Sequence, residues 1–184
     1  FNTIQPDANY GTIGGGHANT IQTSALGATI GGGFENRIWT YAYYATIGGG
    51  AQNSILTRAA RATISGGIQN TAGGNYATVP GGGGNTAGGQ FSFAAGHDAK
   101  ALHDGAFVWA DSPAGGFSST GDNQFLIRSA GGVGINKNNP TTALDVSGTR
   151  ESRIRRASVS RSPADAALWS CNESPGRMTA ILDV

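Results

Sequence analysis

The chain has 184 residues, a formal net charge of +1, 12% charged residues and one cysteine, Cys171. A lone cysteine rules out an intrachain disulfide framework, no apolar run reaches the length of a membrane span, and near-neutrality removes any electrostatic case for nucleic acid as a partner. The 31 glycines stand beside only 6 prolines and follow no Gly-X-Y period, which excludes collagen.

From the first residues onward one phrase recurs. It reads Thr12-Ile13-Gly14-Gly15-Gly16, Thr29-Ile30-Gly31-Gly32-Gly33 and Thr46-Ile47-Gly48-Gly49-Gly50, then in altered form Thr63-Ile64-Ser65-Gly66-Gly67 and Thr78-Val79-Pro80-Gly81-Gly82. Asn2, Asn19, Asn36, Asn53, Asn70 and Asn85 keep step with it, at spacings of 17, 17, 17, 17 and 15. A unit this short cannot bury its own core, so each repeat reads as one turn of a solenoid. Each period holds two short strands, one at Thr-Ile and one after the asparagine (Ile4, Ile21, Ile38, Ile55, Ala72, Ala87), separated by turns. The predicted fold is therefore all-β, a parallel β-solenoid over residues 1–111. Seven coils stacked at ~4.8 Å would make a rod of ~30 Å.

Glycines at the corners allow positive φ and close approach of backbones, and Gly15, Gly32 and Gly49 are expected at crowded or left-handed corners. A phosphate-cradling loop would need Lys-Ser/Thr or a helix next, and His17, Phe34, Ala51 and Ile68 follow instead. The asparagines are expected to stack as ladders or to tolerate left-handed turns. The period then shortens to 15, which places Lys100 as the equivalent of Asn85 and ends the solenoid near residue 111 on larger aromatics. With so few large apolar residues and no disulfide, self-association is the expected source of further burial. Ile13, Ile30, Ile47 and Ile64 are expected to line the interior.

One coil replaces small residues by Trp39, Tyr41, Tyr43 and Tyr44, the candidate binding residues. On an extended segment Trp39, Tyr41 and Tyr43 would share a face. Facing outward they would form a patch for a glycan or protein receptor; facing inward they would plug the core or a contact between chains. His97, Asp98, His103 and Asp104 are the one grouping with metal-ligand chemistry, but half a coil separates the two histidines. No nucleophile elbow is present. Asp98, Asp104 and Asp111 are the carboxylates that glycan cleavage could draw on. No cofactor, metal or catalytic set is expected.

Residues 112–122 read as a loop, followed by strands at residues 124–128 and 132–135. Val133-Gly134-Ile135, Asn139-Pro140 and Leu144-Asp145-Val146-Ser147-Gly148 resemble the stalk linker of phage tail fibres and bacterial surface fibres. The upstream repeats resemble the heads of trimeric autotransporter adhesins, though those carry Ser-Val-Ala-Ile-Gly where this chain has Thr-Ile-Gly-Gly-Gly. The two resemblances cover residues 1–149. They imply a left-handed β-roll, a homotrimer, a linker or cap over residues 112–149, and an extracellular place on a cell surface or virion. The implied function is a structural and adhesive fibre segment. An end-to-end filament, an ice-binding surface on the row Thr12, Thr29, Thr46, Thr63 and Thr78, and a glycan-degrading fibre are the alternatives.

Residues 150–184 have no heptad. They begin with a basic stretch containing Arg153, Arg155 and Arg156, and offer a short helix at residues 164–170 and an edge strand at residues 178–184. Asn2-Thr3-Ile4 already matches Asn19-Thr20-Ile21 and no signal peptide stands at Phe1, so further repeats are expected upstream.

Overall fold

The computed structural model describes residues 1–111 and 116–148. The predicted tail elements at residues 150–184 lie outside the described residues. Among the described residues every regular element is a strand, and the strands come two to a coil. They are β1 (Thr3–Ile4) and β2 (Thr12–Ile13), β3 (Thr20–Ile21) and β4 (Thr29–Ile30), β5 (Arg37–Ile38) and β6 (Thr46–Ile47), β7 (Ser54–Ile55) and β8 (Thr63–Ile64). The later coils contribute β9 (Thr71–Ala72) and β10 (Thr78–Val79), β11 (Thr86–Ala87) and β12 (Phe93–Gly96), β13 (Ala99–Ala101) and β14 (Phe107–Ala110), β15 (Phe117–Ser118) and β16 (Phe125–Arg128).

Odd-numbered strands stack into one eight-stranded parallel sheet and even-numbered strands into a second. Each coil thus crosses once through each sheet, which is a β-solenoid. Eight strands make seven steps, and at ~4.8 Å per step the stack is ~34 Å long. The stack does not stop near residue 111: β15 pairs with β13 and β16 with β14, adding a coil beyond that point. A separate parallel pair, β17 (Val133–Ile135) and β18 (Leu144–Val146), follows it, and all of these strands belong to the compact unit Phe1–Ser147.

The two-residue strands put one side chain out and one in, as the strand pleat requires. Ile30, Ile47 and Ile64 from one sheet and Ile21, Ile38 and Ile55 from the other are fully buried against each other within a single chain. Ile13, in the first coil, is half-buried. The core is closed by the chain's own coils, so the isoleucines do not need neighbouring copies to leave water. Alanines fill the inner corners, among them Ala25, Ala28, Ala42, Ala45, Ala59 and Ala62.

The asparagines form the ladder. Asn36 donates its backbone N–H to Asn19 Oδ1 at 3.0 Å, and its Nδ2 donates to Asn19 Oδ1, to the Gly32 carbonyl and to the Gly50 carbonyl at 3.1, 3.0 and 2.8 Å. Asn53 and Asn70 repeat the pattern one coil on. Every polar atom of these buried side chains is therefore satisfied, which is the condition for keeping an amide inside. The ladder ends at Asn85, whose Oδ1 accepts the backbone N–H of Ala99 at 3.0 Å. Lys100 pairs with Thr86, so it is Ala99, not Lys100, that follows Asn85; this coil has lost one residue more than the 15-residue period allows.

The crowded glycines are not the middle ones. A Cβ on Gly15 or Gly49 would meet nothing within 4 Å, and one on Gly32 nothing nearer than 3.8 Å, although Gly32 does hold a positive φ of 156°. Gly33 carries the constraint instead: its φ is 97°, and a Cβ there would sit 2.1 Å from the Gly50 carbonyl oxygen and 2.7 Å from Asn36 Nδ2. The third glycine of each phrase is where the asparagine ladder and the next coil's backbone meet.

Candidate functional site

Between one sheet and the other, the 17-residue coils need two corners, and both bend through the left-handed region, at Ser24 and Gly27 in one coil and at residues that are not glycine in the next two. Tyr41 and Arg58 hold φ of 61° and 64° at the first corner, Tyr44 and Arg61 55° and 58° at the second. Nothing in these residue types favours that conformation. Hydrogen bonds from the preceding coil impose it: Arg58 N–H donates to the Thr40 carbonyl at 3.1 Å, Tyr44 N–H to that of Leu26 and Arg61 N–H to that of Tyr43, both at 2.8 Å.

The segment holding the predicted aromatics is thus a pair of turns, not an extended strand, and its four side chains part company. Trp39, just past β5, is half-buried; its Nε1 donates to Ser54 Oγ at 2.8 Å, and the Arg37 guanidinium lies 5.1 Å from its ring. Tyr44 belongs to a column along the stack. Its ring covers Gly27, the Arg61 guanidinium sits 5.7 Å from it and 5.5 Å from the Tyr76 ring, and Tyr76 stacks on Phe91 at 5.1 Å. Tyr41 and Tyr43 alone meet, edge to face at 6.3 Å and 64°. They are 42% and 39% exposed.

Tyr41 and Tyr43 open onto a cleft of about 400 Å³ whose other walls are Arg58, Ala60 and Asn75. The cleft has a cause in the register. Seven residues join Ile55 to Thr63, but five join Ala72 to Thr78. The Thr40-Tyr41 and Thr57-Arg58 corners lie above one another, and the next coil has no residues to continue them. Ala60 supplies only a methyl between Tyr43 and Asn75, whose backbone positions stack in the same column. The Ala60 N–H donates to Asn75 Oδ1 at 2.9 Å, which fixes that amide and leaves its Nδ2 without a partner among the described residues. Arg58 is exposed and has no ion-pair partner among the described residues. Sequence reasoning found Tyr41 and Tyr43 by their type but missed Arg58, Ala60 and Asn75. The signal was the step from a 17- to a 15-residue spacing across Asn70.

The other predicted groupings disperse. His97 lies 3.8 Å from Asp98, whereas His103 Nδ1 bonds Ser119 Oγ at 2.8 Å and Asp104 accepts the Gln90 N–H at 2.7 Å. Among the described residues no three His, Cys, Asp or Glu side chains gather as a metal site would require. Asp111 turns instead toward Arg128 and the Ala130 N–H. The threonine row is one residue wide. It runs from Thr12 to Thr78 on the outer face of the even-numbered sheet and then becomes the stacked rings of Phe93, Phe107 and Phe125, at 4.7 and 4.5 Å.

Among the described residues no helix is long and apolar enough to cross a membrane. No protein-family model, curated protein or solved structure matches the chain.

Proposed function

We propose that this chain is a structural and adhesive segment of an extracellular fibre, on a bacterial surface or a phage tail, which presents a binding surface to a host glycan or protein. The observation that carries the reading is the Tyr41/Tyr43 cleft: two half-exposed aromatic rings on a stack whose interior is otherwise sealed by isoleucine and asparagine ladders. Aromatic side chains that a sealed core does not use are the usual anchors of interfaces. Trp39 and Tyr44 lie outside the cleft, Trp39 against Ser54 and Arg37 and Tyr44 in the column with Arg61 and Tyr76, so the reading rests on Tyr41 and Tyr43. The chemistry is recognition, without a catalytic step and without a cofactor.

The fibre is a homotrimer of left-handed rolls in this reading. Support comes from the outer face of the even-numbered sheet, where Phe125 is 68% and Ile127 37% exposed beside Phe107 and Trp109. Such a strip on a monomer calls for a partner, and a second and third copy supply one. Light scattering on the full chain should give three times the 18.6 kDa chain mass; a stable monomer contradicts the trimer. Attachment to host cells and to a glycan array should fall about tenfold or more in Tyr41→Ala/Tyr43→Ala, with the mass unchanged. Equal attachment by that variant contradicts the adhesive role of the cleft.

A further inference from the structure

The charges around the cleft are all of one sign. From residue 36 to residue 97 the chain has no Asp or Glu, while Arg37, Arg58 and Arg61 fall in that span. The nearest carboxylate before it, Glu35, accepts from Gln52 Nε2 at 3.0 Å. Among the described residues none of the three arginines has an ion-pair partner. Arg37 rests on Trp39 and Arg61 between Tyr44 and Tyr76, so their guanidiniums are held against rings and contribute positive field. Arg58 lines the cleft and has neither an aromatic nor an acidic partner among the described residues.

A guanidinium is a planar fork of donors that matches a carboxylate or sulfate in two parallel hydrogen bonds. Beside it stand two tyrosine rings, which offer apolar faces of the width of a pyranose, and the Asn75 amide nitrogen, a spare donor. A cleft of about 400 Å³ has the volume of a small-ligand site and is open along the corner of the stack. Resting on the adhesive reading above, we infer that the cleft takes an acidic saccharide. The sugar's C–H face packs on Tyr41 and Tyr43, its anionic group engages Arg58, and a ring or hydroxyl oxygen accepts from Asn75 Nδ2. An acidic polysaccharide can run past the open cleft as a chain, which suits a surface on a fibre.

The test is calorimetric titration of the full chain with four probes. They are a hyaluronan hexasaccharide (carboxylate only), a keratan sulfate hexasaccharide (sulfate only), a neutral chitohexaose, and poly-L-glutamate. At least one anionic saccharide should bind at least tenfold more tightly than chitohexaose, and the first two probes tell a carboxylate ligand from a sulfate one. Arg58→Gln should remove that preference. Glutamine already occupies the same left-handed geometry at Gln52, where φ is 56°, so the variant keeps its backbone. Arg58→Lys should restore part of the preference, since it returns the charge without the fork. Chitohexaose binding as tightly as the acidic sugars, an unchanged preference in Arg58→Gln, or binding of poly-L-glutamate alone each overturns the inference. Cell attachment measured in parallel separates the two readings. Attachment that survives without saccharide binding sinks the acidic ligand and leaves the adhesive role; loss of both sinks both.

Discussion

The coils before residue 72 and those after it solve the same packing problem with different side chains. The early coils are 17 residues long, meet in an interior of Ile21, Ile30, Ile38, Ile47, Ile55 and Ile64, and carry the asparagine ladder. The later coils lose two residues between the sheets and then one more at the glycine corner, and their interior shrinks to Ala72, Val79, Ala87, Ala94, Ala101 and Val108. A shorter coil encloses a narrower section, and close packing leaves room only for smaller side chains. What the later coils give up inside they recover outside, where Phe93, Phe107 and Phe125 stack. Coil length, core volume and outer decoration therefore change together, and the cleft sits at the step between the two regimes.

The largest expected effect separates crowded from open glycines within the early coils. Gly33→Val must displace the Gly50 carbonyl and the Asn36 amide while holding φ at 97°, and should cost about 4 kcal/mol or more. Gly49→Ala meets open space and should change stability by less than about 1 kcal/mol. Thermal and denaturant unfolding of both variants checks this; equal losses would contradict the glycine assignment.

Next comes the ladder. Asn53→Leu strands the Asn70 N–H and leaves Asn36 Oδ1 and the Gly49 and Gly67 carbonyls each short of a donor. Orphaned buried groups cost ~1–3 kcal/mol apiece, so the variant should lose more than about 3 kcal/mol. A loss below ~1 kcal/mol would mean water replaces the amide.

The two interiors should respond unequally. Ile47→Ala removes a fully buried side chain from a wide coil and should cost about 3 kcal/mol. Val79→Ala, in a coil already lined by alanines, should cost about half of that. Urea midpoints at matched m-values test the ratio.

The smallest effect sets neutral coils against the ionised β17–β18 pair. The Asp145 carboxyl is drawn from 3.8 down to about 2, first by Lys137, whose Nζ donates at 2.7 Å, and then by the Thr141 N–H and hydroxyl. A lowered folded-state pKa means the contribution is full above 3.8 and is lost as pH falls through about 2. The Thr141 amide resonance should titrate in that window, and Asp145→Asn should abolish the titration. The amides of Asn36 and Asn53, held by neutral groups, should stay still.

Much of this was legible in the residues. Period two in Thr-Ile and period 17 in asparagine set which side chains point inward, because only one register buries the isoleucines from Ile21 to Ile64 and bonds the amides of Asn36, Asn53 and Asn70. The ladder and the parallel stack follow. The end near residue 111 was misplaced because β16 carries Phe125 on the column of Phe93 and Phe107 at an irregular spacing. Lys100 was one residue out for the same reason, a shortened corner with no composition to mark it. The need for other chains to bury the isoleucines was inferred from composition, which counts apolar residues but not how tightly one coil closes on another. At the site, the tyrosines stood out by type. Their separation into turn, column and cleft did not, since backbone bonds from the neighbouring coil set the left-handed corners at Tyr44, Arg58 and Arg61.

The cleft exists because residues 71–85 lack the two-residue corner that Thr57 and Arg58 form in the coil before. Restoring it tests the claim most directly. Thr-Ser inserted between Gly73 and Gly74 copies the Thr23-Ser24 corner, returns that coil to 17 residues and fills the space below Arg58. Attachment to host cells is then measured against the parent chain, with circular dichroism and mass confirming the stack. A folded variant whose attachment has dropped about tenfold or more is the predicted result; a folded variant that attaches as well as the parent would contradict the account.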